Sequence, residues 1–196
     1  MYKLTEKEIR LKLDGTNAEE RRNVIVLGLE DVYSKHGSEN QLDADYGDSL
    51  WCVIDKDKWP QDQIEELHAF CNQKSNRHLV ISNPSIEIWL LYHKLADLTG
   101  LSITTAQDAK RALDIIEKGG YYYIKYLPLM MNAIENASRA DTKPGSYMPE
   151  LLQTKVYLLG KALYERMGKV RFDKFVASLP MTEKEFFIKN KQNNNG

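Results

Sequence analysis

The chain is poor in the features that mark several common protein classes. Two cysteines, Cys52 and Cys71, occur in 196 residues, too few and too far apart for a four-cysteine zinc site or a disulfide framework. Both fall in apolar-periodic segments, which reads as thiols buried in a reducing compartment. No apolar run approaches the roughly 18 residues that a membrane span needs. The opening stretch MYKLTEKEIRLKL has no apolar core of a secretory signal. A soluble, cytoplasmic protein without membrane association is the expectation. No glycine-rich phosphate loop of the GxxxxGKS or GxGxxG kind occurs, which ranks a small-molecule phosphotransferase last.

What is present is a globular composition, 42% hydrophobic and 28% charged, rather than that of a disordered chain. The net charge of −1 is unevenly spread. Residues 1–100 hold 12 basic and 18 acidic side chains, residues 101–154 hold 6 of each, and residues 155–196 hold 9 and 4. An acidic front and a basic tail suit a metal site followed by a phosphate-contacting tail. They also suit ordinary solvated surfaces.

Ile9 to Leu13 alternates apolar and polar residues and reads as a half-buried strand ending at the turn Asp14-Gly15. A helix with acidic Glu19 and Glu20 in its first turn follows, then the polar loop 38–49. The DADYGD of that loop lacks the ligand spacing of an EF-hand. Leu50 to Ile54 (LWCVI) is a continuous apolar run, the mark of a strand buried on both faces. Residues 61–75 predict an amphipathic helix with Ile64, Leu67, Phe70 and Cys71 on one stripe. His78 to Ser82 is a second strand, and Asn83-Pro84 reads as N-cap and first residue of a helix reaching Gly100. Alternation of strand and helix argues for a parallel sheet.

Beyond residue 100 the expected elements are all helices: 106–118 capped by Thr105, one starting at Pro128, 150–168, 171–178, and a short one from the Thr182/Glu185 capping box. The expected organisation is an α/β domain over 1–104, a helical region over 105–190 and a disordered tail over 191–196.

Asp55-Lys56-Asp57 directly follows the LWCVI strand. Ligands of open parallel sheets bind beyond the carboxyl ends of strands. Two carboxylates two residues apart there can turn toward one hard cation such as magnesium, with Lys56 and Lys58 beside them for phosphate. A solvated turn is the other reading, and both stay open. Ser82-Asn83-Pro84-Ser85-Ile86-Glu87 ends the next strand, so it should lie near Asp55 and Asp57 across the sheet top. Glu87 is the only acid between Glu66 and Asp97 and sits among Ile86, Ile88 and Trp89. A carboxylate in such company is usually partnered, as a metal ligand or by the helix dipole. His93, four residues after Trp89 on the same helix face, reads as packing or as a ligand-orienting group. The basic tail, with Lys155 near Tyr157 and Lys161 near Tyr164, reads as a phosphate-tracking groove or a solvated helix face.

VIDKDKW at 53–59 followed by ISNPSIEIWLLYH at 81–93 resembles the RloB family, whose members carry an "fDkDe" segment and then "SNPcFElWlllHf". AIENASRA at 133–140 and LQTKVYLL at 152–159 look like its later helices. The resemblance implies a small parallel TOPRIM-like sheet flanked by helices, followed by a helical C-terminal part. It implies a nuclease dependent on Mg²⁺ or Mn²⁺, with metal on Asp55, Asp57 and Glu87. The catalytic set it implies is Asp14, Asp55, Asp57, Glu87 and His93, with Lys56, Lys58 and Asn83 meeting substrate phosphate. It further implies a role in antiviral defence, acting on DNA or RNA with an AAA- or ABC-type ATPase partner, homo-oligomerisation being left open. In one respect the chain departs from the family, which begins with a strand ending in Glu-Gly where this sequence has Asp14-Gly15. The shorter Asp side chain keeps a second expectation alive: a non-catalytic, degenerate TOPRIM subunit that binds an ATPase or nucleic acid.

Overall fold

The computed structural model describes residues 48–117 and 122–179. The expected first strand and its Asp14-Gly15 turn, the helix carrying Glu19 and Glu20, the Thr182/Glu185 box and the 191–196 tail lie outside the described residues. The elements in order are β1 (Leu50–Asp55), α1 (Gln61–Asn72), β2 (Arg77–Asn83), α2 (Glu87–Tyr92), α3 (Ala106–Ile116), α4 (Tyr123–Tyr126), α5 (Met130–Ala140), β3 (Gln153–Thr154), α6 (Val156–Met167) and α7 (Lys169–Ser178). Three-residue 3₁₀ turns follow β1, at Lys56–Lys58, and precede α5, at Leu127–Leu129. The fold class is α/β with a helical C-terminal part.

The three strands form one mixed sheet in the order β1-β2-β3. Leu50 N–H donates to the Asn76 carbonyl at 2.8 Å, and seven residues on Asp57 N–H donates to the Pro84 carbonyl at 3.1 Å. The two chains therefore advance together, and β1 and β2 are parallel, as strand-helix-strand alternation requires. β3 pairs antiparallel with the end of β2, Ser82 opposite Thr154 and Asn83 opposite Gln153. Its residues lie inside the stretch expected to be helical, and two residues are too short a run for any periodicity to show. Val53 is 43% exposed, so β1 is half-buried rather than covered on both faces.

The described residues divide into two compact units, 48–52 with 59–79 and 53–58 with 80–117 and 122–179. In the first, α1 buries the expected stripe of Ile64, Leu67, Phe70 and Cys71. In the second, one apolar cluster takes Ile88, Leu91 and Tyr92 from α2, Ala109 and Leu113 from α3, Ala133 and Ala137 from α5, and Tyr157 from α6. Each fully buried Leu or Ile there stabilises by about 1.5–3 kcal/mol. Gly160 permits the approach of α6, since a Cβ at that position would stand 3.0 Å from Ile134 Cγ1 and 3.4 Å from Trp89 Cη2.

α2 is far shorter than the helix expected over 83–100. Asn83 stays in β2, and its side-chain Nδ2 donates to the Pro149 carbonyl at 3.0 Å, so it is not the N-cap; that position falls to Ile86. At the other end Asn136 of α5 donates to the carbonyls of Tyr92 and Leu95 at 2.9 and 3.2 Å. These bonds satisfy backbone acceptors that a continuing helix would have used. Thr105 does cap α3, in a reciprocal box with Asp108.

The segment 149–155 holds the end of β2. Ser82 and Thr154 share a hydroxyl hydrogen bond of 2.7 Å, Lys155 N–H donates to the Ile81 carbonyl at 2.8 Å and Leu152 N–H to the Asn83 carbonyl at 3.0 Å. Leu152 sits at φ 65°, in the left-handed region that costs a non-glycine residue free energy. The Tyr92 hydroxyl, on the Leu152 carbonyl at 2.8 Å, helps hold it there.

Lys155 anchors this segment. Its side chain is 1% exposed, and Nζ donates to both Asp141 oxygens at 2.8 and 2.6 Å and to the Lys143 carbonyl at 2.8 Å. The Tyr157 hydroxyl donates to Asp141 Oδ2 at 2.8 Å; burial and Asp141 together push that hydroxyl above its ordinary range. Neither a phosphate groove nor a solvated face describes Lys155 or Tyr157. Removing one member of a buried, hydrogen-bonded pair strands the other charge. Lys155→Met is expected to lower unfolding free energy by about 3–5 kcal/mol in urea titrations. Combined with Asp141→Asn it should cost less than the sum of the two single changes.

Candidate metal-binding site

The two sequence motifs meet where β1 and β2 end. Asp55 closes β1, the chain tightens into the Lys56–Lys58 turn, and the backbone bond from Asp57 to Pro84 ties that turn to the segment after β2. A parallel pair of adjacent strands brings their carboxyl ends together, so the expected nearness of Asp55, Asp57 and Glu87 follows from topology.

Asp55 is half-buried. Burial raises its carboxyl above the ordinary range; the Ile86 N–H directed at it opposes this, the charges of Glu87 and Asp57 add to it, and Lys110 of α3 opposes it from a distance. The three acids thus belong to one electrostatic neighbourhood. Glu87 opens α2, and its Oε2 is buried with no hydrogen-bond partner; the hydroxyl of Ser85, a residue only 1% exposed, is in the same condition. Asp57 is at the surface, where Lys58 Nζ stands 3.8 Å from Oδ2. Lys56 is half-buried and Lys58 exposed.

The fully buried acids of the same unit are treated differently. Glu117 lies against Lys94 at 3.1 Å and Lys125 at 3.0 Å. Burial alone would push its carboxyl up, but the two lysines more than offset this and hold it below its ordinary value. Asp141 has Lys155 and Tyr157. Among the described residues neither Asp55 nor Glu87 has an ion-pair partner. Their oxygens are the hard donors that magnesium prefers. Among the described residues, however, no three His, Cys, Asp or Glu side chains converge closely enough to enclose a metal ion. The arrangement therefore fits an ion held by one or two carboxylates and completed by water or phosphate, not a closed protein cage.

The sequence profile of a family described as "RloB-like protein" matches residues 4–163. The chain belongs to the RloB-like family. No curated protein and no solved structure matches it.

In this RloB-like chain the remaining expected site residues fall in several places. Asp14 lies outside the described residues. Asn83 donates its side-chain amide to the Pro149 carbonyl at 3.0 Å. His93 is 5% exposed, with its ring edge-on to Trp89 and Tyr126 at 4.8 and 5.3 Å between centroids. Its Nδ1–H donates to the Trp89 carbonyl at 2.9 Å. Along α6 and α7, Lys161 and Lys169 are exposed, and Lys169 pairs with Asp173 at 2.6 Å. Two groups escaped the sequence reading. Ser85 was legible as part of the SNPSIE stretch, but nothing in the sequence says that its hydroxyl is buried. Lys110 is 55 residues from Asp55, and only tertiary structure brings its charge to bear. Among the described residues no helix is long and apolar enough to cross a membrane.

Burial lowers His93 to about 4, against an ordinary value of 6.5. Between those pH values the unfolded chain binds more protons than the folded one, so stability rises with pH. The penalty is absent above the ordinary value and on the order of 3 kcal/mol once pH falls below the lowered one. Urea unfolding across this range should show His93→Gln losing less stability on acidification than the parent chain, the difference isolating His93 from the carboxylates.

Proposed function

We propose that this RloB-like protein is a metal-dependent phosphodiester nuclease, in which one or two of the carboxylates Asp55, Asp57 and Glu87 would hold Mg²⁺ or Mn²⁺, with water or phosphate completing the shell. The observation that carries this reading is the contrast in charge pairing. Buried Glu117 and Asp141 each have lysine partners, whereas Asp55 and Glu87 crowd one another with a buried carboxylate oxygen left without a partner. A buried carboxylate without a cation is costly, and a divalent ion is the group that would relieve it. When bound, such an ion supplies an activated water and stabilises charge on the phosphate.

The protein's own residues have narrower tasks. Asp55 and Glu87 fix the ion's position because strand β1 and helix α2 fix theirs. The Ile86 N–H orients the Asp55 carboxylate, and the buried Ser85 hydroxyl, without a hydrogen-bond partner, could bond a water or a substrate oxygen. Lys56 and Lys58, on the same turn as Asp57, meet the phosphate backbone. His93, neutral at pH 7, packs edge-on against Trp89 and Tyr126. Asp14 is the candidate for a further carboxylate. The substrate is DNA or RNA, the protein acts with an ATPase partner, and its setting is antiviral defence.

The absence of a three-ligand cluster among the described residues favours a second reading, a degenerate subunit that binds nucleic acid or an ATPase without cleaving. One set of measurements separates the two. The full chain, alone and with its ATPase, is given labelled DNA and RNA in Mg²⁺, Mn²⁺ or chelator. The nuclease reading expects cleavage that needs the metal and falls by about a hundredfold or more in Asp55→Asn and Glu87→Gln, together with weaker Mn²⁺ binding by calorimetry. Cleavage that survives both chelator and Asp55→Asn overturns it. Nucleic-acid or ATPase binding without cleavage in any metal supports the second reading.

A further inference from the structure

Two cysteines in the whole chain leave one pairing open to it within a single molecule, Cys52 with Cys71. Both are free thiols. Cys52 lies on β1 and is half-buried; Cys71 is in the last turn of α1 and 3% exposed. They belong to the same compact unit.

Local structure turns them toward each other. β1 and β2 begin side by side through the bond from Leu50 to Asn76. The next residue, Arg77, places its guanidinium 4.0 Å above the Phe70 ring and donates to the Phe70 carbonyl at 3.4 Å. That brings the last turn of α1, which carries Cys71, onto the start of the strand pair, which carries Cys52. The Cys71 thiol nearby, helped by the Arg77 charge against the opposing effect of burial, holds the Cys52 thiol below its ordinary range. Cys71 is pushed up by Cys52 and by burial.

We propose that Cys52 and Cys71 are a reversible oxidative modification site, closing to an intramolecular disulfide in the presence of a hydroperoxide, with Cys52 attacking and Cys71 resolving. The Cys52 thiolate attacks the distal peroxide oxygen and the O–O bond breaks. Cys52 becomes a sulfenic acid and, for hydrogen peroxide, the leaving hydroxide takes a proton and departs as water. The Cys71 sulfur then attacks the sulfenic sulfur; the S–S bond forms, the S–O bond breaks, and a second water leaves with the Cys71 proton. Two electrons pass from the thiols to the peroxide. Thiols on two elements packed this closely can reach disulfide geometry through local movement, and the half-buried position of Cys52 gives a small oxidant access. The inference is independent of the nuclease reading, because neither cysteine belongs to the acidic site.

The test uses the full chain treated with hydrogen peroxide, then alkylated with N-ethylmaleimide and weighed intact. The expected product is a monomer lighter by two hydrogens, with neither cysteine alkylated and both restored by dithiothreitol. Cys71→Ser should stop at a sulfenic acid on Cys52 that dimedone traps. Cys52→Ser should slow peroxide consumption by about tenfold or more. The proposal is overturned if the parent thiols alkylate after peroxide as fully as before. A product that is an intermolecular dimer, or trapping on Cys71 with Cys52 left free, overturns it equally. The parent-chain readout requires no substitution, so a variant that fails to fold leaves the test intact.

Discussion

A carboxylate taken out of water must find a cation or strong donors, and that constraint organises the second unit of this protein. Asp141 answers it with a fully buried ammonium, Lys155, and a tyrosine hydroxyl. Glu117 answers it with two lysines. Among the described residues Asp55 answers it only in part, through the Ile86 N–H and a distant Lys110, and Glu87 keeps a buried Oε2 without a hydrogen-bond partner. Desolvation costs for a fully buried ion run to several kcal/mol, a large quantity on the scale of a domain's marginal stability. The functional reading rests on that imbalance more than on the motif letters.

The solved and unsolved sites are mechanically linked. Lys155 follows β3 directly, and β3 with Leu152 holds the last residues of β2 through bonds to Ile81, Ser82 and Asn83. Those residues lead into Pro84, whose carbonyl receives the Asp57 N–H, and on to Ser85 and Glu87. A structural ion pair thus sets the frame in which the acidic groups face each other. A single backbone hydrogen bond contributes only about 1 kcal/mol net. Several converging on three consecutive residues make the end of β2 a rigid platform.

Membership of the RloB-like family agrees with the order and spacing of the two motifs. The first acidic position, Asp14-Gly15, separates this chain from the Glu-Gly pattern implied by the resemblance. An aspartate reaches one methylene less far than a glutamate, and an ion shared between strands is sensitive to reach at that scale because magnesium demands near-ideal octahedral distances.

The sequence by itself determined the parallel strand pair, the stripe of α1, the Thr105 cap of α3 and the meeting of Asp55 with Glu87. Each follows from local periodicity, a cap pattern or the topology of strand-helix-strand, all of which are carried by neighbours in the chain. Tertiary structure alone decided that β3 is a strand, that α2 stops at Tyr92, that Asn83 serves Pro149 and that Lys155 is buried. Two residues show no period, and a helix gives way where Asn136, from 44 residues on, takes its carbonyls. A lysine among apolar neighbours reads as surface until an aspartate 14 residues earlier is folded onto it. Such outcomes depend on partners distant in sequence, and no local pattern encodes which partner arrives.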